Sequence, residues 1–423
     1  MSIISIFYDP MPTIEIMSPA GSFASLNTAI KAGADSVYFG VEQLNMRARA
    51  ANNFRITDLP EIVGICKEKK VKTYLTVNTI LYDHDLALLR KVCDAAKAAG
   101  ITAVIASDVA ALQYAHSIGL EIHISTQQNV SNIEAVRFFA QFADVVVLAR
   151  ELTLNQIKKI IAEIKKDKIV GPRGELIRIE LFAHGALCVA ISGKCYMSLA
   201  TQNASANRGA CTQNCRRTYR VIDEENGEEL VLDNKYIMSP KDLCTIGFLD
   251  QILAAGVSVL KLEGRGRSPE YVHVVTKCYR EAADAVENGT YTPEKIAAWT
   301  TQLEGVYNRG LWHGGYYLGK QLGEWSGEYG SHTTKQNDYI GHVTNFFRKV
   351  SVGEFTLDAG DIAEGSEILI TGDTTGVIKI KVTEIIINEK PVSSAKKGDI
   401  ITFKVPERVR PNDKLFVVHD RKK

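Results

Sequence analysis

From residue 13 onward the chain alternates short apolar runs with amphipathic segments. Runs at 14–17, 36–39, 72–77, 103–106, 121–125, 145–148, 177–182 and 257–262 are apolar on consecutive positions, as strands buried on both faces must be. Between most of them, 22–32, 59–69, 85–99, 133–141 and 154–165 repeat apolar residues at helical spacing. Ser131 and Thr153 stand where N-caps belong, and Gly33 and Gly100 where helices should stop. Strands and helices alternating eight times over about 280 residues predict an α/β fold, a (β/α)8-like barrel of the TIM type, complete or partly distorted. The competing architecture, an open doubly wound sheet, is disfavoured because no glycine-rich phosphate turn follows the first strand.

The pattern changes towards the end. Short β-branched runs at 339–343, 355–357, 366–370, 376–387, 400–405 and 414–418, separated by Gly-Asp, Asn-Glu and Pro-Asn-Asp turn signals, predict a small all-β barrel domain. The domain plan is thus 13–290 for the β/α barrel with a cysteine-rich insertion at 180–245, 291–337 for a linker, and 338–423 for the β-barrel domain. The linker holds Tyr307, Trp312, Tyr316, Tyr317, Trp325 and Tyr329 with Arg309 and Lys320. These residues either stack bases or pack against the barrel, and packing is the preferred reading.

Composition narrows the classes. The chain has 423 residues, is 45% apolar and 23% charged, and carries a formal charge of +1, so nucleic-acid contact has to come from a local patch. No apolar run of about 18 residues exists to cross a membrane. The start lacks a basic region ahead of an apolar core, so a cytoplasmic location is expected, with cysteines kept reduced. There is neither an H-E-x-x-H nor a G-x-S-x-G motif.

Chemistry concentrates between Glu180 and Arg220. Four of the eight cysteines (Cys188, Cys195, Cys211 and Cys215) fall there, without an acidic residue after Glu180 and with Lys194, Arg208, Arg216, Arg217 and Arg220 alongside. Cations stabilise thiolates, and soft sulfur donors suit iron–sulfur clusters or zinc. Only Cys211 and Cys215 make a short zinc-type pair, so a cluster is preferred over zinc or free thiols. Cys244 is a fifth candidate, and spacing leaves open whether it or Cys215 completes a set of four. Cys66, Cys93 and Cys278 lie in helical patterns and read as core.

In a barrel of this type chemistry sits at the C-terminal strand ends. Those ends offer Arg47, Arg49, Asn78, Arg150, Arg265 and Arg267 as ligand-binding candidates, since guanidinium forks match carboxylates and phosphates. His184, Glu151 and Glu263 are the acid–base candidates. Each has a plainer alternative: a buried structural imidazole for the first, arginine partners for the carboxylates.

The segments EIMSPAGSFASLNTAIKAGADSVYFG, HGALCVAISGKCYMS, NRGACTQNCRRTY, MSPKDLC and VLKLEGRGRSPEYV, with NRGLWHGGYYLG, resemble the collagenase-like peptidase family, peptidase family U32. The resemblance covers nearly the whole chain. It implies an oxygen-independent hydroxylase with a 4Fe-4S cluster, prephenate as oxygen source, and a C-terminal domain like that of translation factors. Carried over by motif, the implied cluster ligands are Cys188, Cys195, Cys211 and Cys244, with Cys215 as the competing fourth thiol. Length and the single C-terminal domain are most similar to the branch that makes 5-hydroxyuridine at the tRNA wobble position. The resemblance therefore implies tRNA and prephenate as partners, Arg208, Arg216 and Arg217 at the RNA backbone, no membrane, and a possible separate electron donor. Competing readings are a thiol peptidase, a hydroxylase of ribosomal RNA or another substrate, and a zinc-holding RNA-binding module.

Overall fold

The structure is a computed structural model that describes residues 14–49, 53–219, 222, 224–227, 238–319, 324–327 and 330–421. Arg220, Lys320 and Tyr329, singled out above, lie outside the described residues.

Eight parallel strands close into a barrel. They are β1 (Glu15–Pro19), β2 (Ser36–Phe39), β3 (Lys72–Val77), β4 (Ala103–Ala106), β5 (Glu121–Ile124), β6 (Val145–Val147), β7 (Arg178–Gly185) and, after a short β8 (Asp242–Cys244), β9 (Val259–Leu262). Each pairs in parallel with the next, and β9 closes the ring by pairing with both β1 and β7. Every expected strand is present. The five expected helices appear as α1 (Phe23–Lys31), α2 (Leu59–Glu68), α3 (Leu86–Ala99), α5 (Ile133–Phe139) and α6 (Leu154–Lys166), and the structure adds α4 (Val109–Ser117) between β4 and β5. After them come α7 (Met197–Gln202), α8 (Leu249–Ala254), α9 (Pro269–Glu287) and α10 (Pro293–Glu304).

Local chemistry sets the helix ends. Thr153 caps α6 in a capping box with Gln156, and that helix buries Leu154, Ile157, Ile160, Ile161 and Ile164 as one stripe against the sheet. Gly100 ends α3 in the left-handed region. Ser131 is not the cap of α5: Asn132 is, its side chain accepting from the Ala135 amide. Both residue types suit the role, and helix phase selects the later one.

The barrel interior is ionic towards its N-terminal end. Glu15 of β1 bonds Lys72 and Tyr74 of β3 and, at 3.3 Å, Arg178 of β7; Arg178 also reaches Glu121 of β5 at 3.1 Å. These side chains come from alternate strands, as layers in such barrels do. Burial opposes ionisation of Glu15, but Lys72 and the other partners outweigh it and hold the carboxyl below its ordinary range.

The segment expected to link the domains is instead part of the first body. Trp299 and Leu303 of α10, and Trp312 and Tyr317 beyond it, belong to the barrel's hydrophobic core. A strand β10 (Leu311–His313) pairs with β8, which in turn pairs antiparallel with the end of β7. The bulky apolar rings explain this, because leaving them in solvent costs about 1.5–3 kcal/mol for each.

The second body is antiparallel and all-β. It comprises β11 (Lys335–Phe347), β12 (Val352–Leu357), β13 (Asp361–Ala363), β14 (Glu367–Gly372), β15 (Gly376–Lys381), β16 (Ile385–Ile387), β17 (Lys390–Val392), β18 (Ser394–Lys396), β19 (Ile400–Lys404) and β20 (Lys414–Asp420). Eight of these form a sheet in the order β15-β14-β20-β11-β12-β19-β16-β17, and β13 pairs with β18. Its alternating strands wrap a separate core that includes Phe355 and Phe403, stacked 4.2 Å apart. The domain docks on α1 and α9 through Asn27 to the Asp373 carbonyl, Lys31 to the Thr375 carbonyl and the Lys379–Glu270 ion pair.

Candidate active site

The C-terminal strand ends enclose one cavity of about 240 Å³. Its wall on one side is the insertion after β7, which brings Cys188, Cys195, Cys211 and Cys215 to the same space. Side chains knit the two cysteine-bearing halves of that insertion together. The Ser198 hydroxyl accepts from the Thr212 amide at 3.0 Å, and Asn214 donates to the Met197 carbonyl at 3.4 Å. Arg216 donates to the carbonyls of Leu187 and Pro240, both at 2.6 Å, and so fastens the turn holding Cys215 to the start of the insertion. Gly209, at φ +80°, lets the Cys211 turn press on the loop after β2; a Cβ there would stand 2.3 Å from the Asn45 carbonyl.

Cys244 is elsewhere. It lies on β8, fully buried, and does not line the cavity. Pairing of β8 with both β7 and β10 turns it towards α9, where Tyr279 is its hydrogen-bond partner and burial pushes its thiol up to about 11. Cys215 takes the fourth place in the thiol group. Burial raises it, Arg216 opposes this, and the nearby Cys188, Cys211 and Cys195 add to the rise, which ends at about 11. Sequence spacing could not separate the two because strand pairing, not distance along the chain, sets Cys244 off the cavity wall.

No set of three or more His, Cys, Asp or Glu side chains among the described residues is arranged to hold a single metal ion. Four thiols around a common cavity, with no carboxylate among them, are the donor set of a four-iron cluster, in which each iron takes its own thiolate. The residues fit that group.

The rest of the lining is cationic. Arg47, Arg150, Arg216, Arg265, Arg267, Arg309 and Lys261 face a single lining carboxylate, Glu263. Several of these cations are already committed. Arg47 pairs with Glu263 at 2.7 Å, Arg309 with Asp242 at 3.4 Å, and Arg265 donates to Thr76 at 3.0 Å and to Asn45 at 2.9 Å. Arg150 and Arg267 differ. Arg150 lies 4.0 Å over the Phe182 ring, bonds only the Ala186 carbonyl at 3.3 Å, and has a buried Nε without a hydrogen-bond partner. Arg267 lies 3.6 Å over Tyr307. Two guanidinium groups, each over an aromatic ring and without a carboxylate bonded to it among the described residues, can receive a compact dianion.

The acid–base candidates fall in three different environments. His184 is buried behind the strand ends against Tyr279, and burial drops its imidazolium to about 3, so it is neutral. Burial works against the Glu263 carboxylate, but Arg47 and then Arg267 overcome it and hold the group at about 2. Glu263 is therefore ionised and serves as the counter-charge of Arg47. Glu151 is exposed and outside the cavity, as is Arg49. Asn78 lines the cavity, but its amide is engaged by Ser125, Gln127 and the Met46 amide.

Of the residues expected at an RNA backbone, two are internal fasteners. Arg216 is bonded as described, and Arg208 pairs with Asp85 at 2.7 Å and stacks on Tyr82 at 3.9 Å. Arg217 is exposed. Large apolar side chains left exposed in the loops bordering the cavity include Tyr82, Ile191 and Tyr196, the last at 70%. Sequence reasoning passed over them, as it passed over Lys261, because one Tyr or Lys in a loop or strand carries no periodic signal.

A closed β/α barrel whose C-terminal mouth joins thiols to an arginine-lined cavity is the architecture of an enzyme. Residues 21–327 match the model of Peptidase family U32, and the chain belongs to that family. It is 57% identical to a protein named collagenase from Porphyromonas gingivalis strain W83, over 95% of this chain and 97% of that protein. It is 32% identical to a tRNA hydroxylation protein P1 from Bacillus subtilis, over 78% of this chain and 77% of that one. A 23S rRNA 5-hydroxycytidine C2501 synthase from Escherichia coli is 35% identical over 64% of this chain and 40% of its own length. Among the described residues no helix is long and apolar enough to cross a membrane.

Proposed function

We propose that the protein is a tRNA hydroxylase that makes 5-hydroxyuridine at the wobble position in the cytoplasm, with a 4Fe-4S cluster and prephenate as the oxygen source. The observation that carries this reading is the cavity itself, in which four thiols and two uncommitted arginines meet. Cys188, Cys195, Cys211 and Cys215 would hold the cluster, which supplies Lewis-acid and electron-transfer chemistry when bound. Arg150 and Arg267 would take the two carboxylates of prephenate, while the Arg47–Glu263 pair and Arg265 shape the floor beneath it. A wobble base turned out of its stack would enter the mouth and stack on exposed aromatic side chains such as Tyr196. The relatives named for tRNA and rRNA hydroxylation support an RNA substrate.

The name of the Porphyromonas relative favours a second reading, a peptidase. A thiol peptidase needs an imidazole beside its thiol. The two barrel imidazoles, His123 and His184, do not line the cavity with the four thiols: His123 is bonded to Glu180, and His184 shares Tyr279 with Cys244, itself buried off the cavity wall. The deciding experiment is anaerobic purification, iron and sulfide counting, and incubation with undermodified tRNA and prephenate. About four irons per chain and prephenate-dependent 5-hydroxyuridine in the digested tRNA are expected. Colourless protein that cleaves gelatin peptides instead would overturn the reading.

A further inference from the structure

Lys261 of β9 is the one lysine that lines the cavity among the described residues. Its side chain is 6% exposed, its Nζ is 2.7 Å from Glu180 Oε1, and the rings of Tyr38 and Phe182 lie 4.7 and 5.6 Å away. Anion binding does not require it, because Arg150 and Arg267 line the same space and neither forms a salt bridge among the described residues. What a lysine adds to arginines is the ability to lose a proton and attack a carbonyl carbon.

The surroundings serve that chemistry. Burial weakens the ammonium form of Lys261; the bond to Glu180 opposes this, while Arg265 and Arg150 weaken the ammonium further, and the net effect is downward. Glu180 is a fully buried acceptor at hydrogen-bond distance. Its other oxygen is 3.3 Å from His123 Nδ1, and His123 Nε2 lies at ion-pair distance, 3.6 Å, from Glu121. Glu121 pairs with Arg173, which is largely exposed. Burial favours a protonated Glu180, but Lys261 and His123 outweigh it and hold the carboxyl below its ordinary range, so Glu180 is a transient acceptor that gives the proton back, placed away from the ligand. A buried ion pair is also weak evidence for stability, since a well-packed apolar pair of similar volume often does as well.

We propose that Lys261 captures a 2-oxo acid covalently, as an imine between its Nζ and the ketone carbon, with Arg150 and Arg267 holding the ligand's carboxylates. This rests on the reading that the cavity takes prephenate, whose side chain is a 2-oxo acid. Lys261 first gives one proton to Glu180, and its free electron pair forms the N–C bond as the carbon–oxygen π pair moves to oxygen. Glu180 returns the proton to that oxygen. A second proton moves from nitrogen to the resulting hydroxyl, and water leaves as the C=N bond forms. Of the three protons of the ammonium, two depart in water with the ketone oxygen and one remains on the iminium. No electrons are gained or lost. The product carries the same single positive charge opposite Glu180, so the buried pair is preserved throughout.

The test uses the full chain, purified anaerobically and incubated with prephenate or, separately, pyruvate in the presence of sodium cyanoborohydride. Peptide mass spectrometry should find the reduced adduct on the Lys261 peptide, and none there in Lys261→Arg, which keeps the charge opposite Glu180. Calorimetric titration of prephenate without reductant runs in parallel. Prephenate binding with no adduct at Lys261, or with adducts only on surface lysines, would overturn the imine and leave the prephenate reading standing. Neither binding nor adduct would sink both. Because the wild-type peptide gives the answer, the result stands even if the variant fails to fold.

Discussion

Gly40 and Arg265 adjoin so closely that a Cβ at residue 40 would stand 2.4 Å from Arg265 Nη1. Arg265 needs that gap to cross the end of β2 and donate to Thr76 and Asn45, which places its guanidinium in the cavity floor. Gly40→Ala is expected to displace Arg265 and raise the KM for prephenate by about tenfold, ~1.4 kcal/mol of binding. Steady-state kinetics with a thermal melt checks it. An unchanged KM would remove Arg265 from the ligand floor.

Cys215→Ser and Cys244→Ser should part company. The first removes a thiol from the cavity wall and is expected to cut iron content sharply, with loss of the brown colour. The second alters a buried thiol bonded to Tyr279, and should keep its iron while losing about 1–2 kcal/mol of stability. Iron analysis beside denaturant unfolding of both variants measures the contrast. The reverse pattern would restore Cys244 as the ligand.

Acid should destabilise the protein in two overlapping ranges. His184 has a folded pKa of about 3 against an ordinary 6.5, so the unfolded chain binds a proton that the native state refuses. Its contribution is complete above pH 6.5 and falls as the pH drops towards 3, at about 1.4 kcal/mol per pH unit. Glu263, held at about 2 against 4.5, adds stability that is present above pH 4.5 and is lost as the pH falls towards 2. Between pH 7 and pH 5 His123, whose pKa is raised, and His273, whose pKa is lowered, titrate as well, so the His184 share is the difference in slope between wild type and His184→Gln, whose curve should fall less steeply. Identical slopes in wild type and variant would show that His184 titrates alike in the native and unfolded states.

Tyr196 is 70% exposed in the insertion that forms the cavity wall. Tyr196→Ala is expected to weaken tRNA binding by about 1–3 kcal/mol, the range for one base stacked on an aromatic ring, without changing iron content. Filter binding at fixed salt reads it. Arg216→Ala should behave differently: it frees the Leu187 and Pro240 carbonyls and is expected to lower iron content before it affects RNA affinity.

The sequence by itself determined the scaffold. Eight consecutive apolar runs separated by helices leave few arrangements that bury both faces of every strand, and α6 shows its apolar stripe and capping box in the residues alone. It also placed the thiols and arginines at one end of the barrel, because strand ends follow from strand positions. Tertiary structure decided what each of those side chains does. Cys244 stands off the cavity wall because β8 pairs with β7 and β10, partners far away along the chain. Arg208 and Arg216 become fasteners because carbonyls and a carboxylate distant in sequence meet them. The aromatic segment enters the core because Trp312 and Tyr317 find room under β8 and β7. Lys261 gains its proton partners from β7 and β5 only after the ring closes. Periodicity reports which face of an element is buried; charge pairing across a barrel depends on closure, which no local pattern encodes.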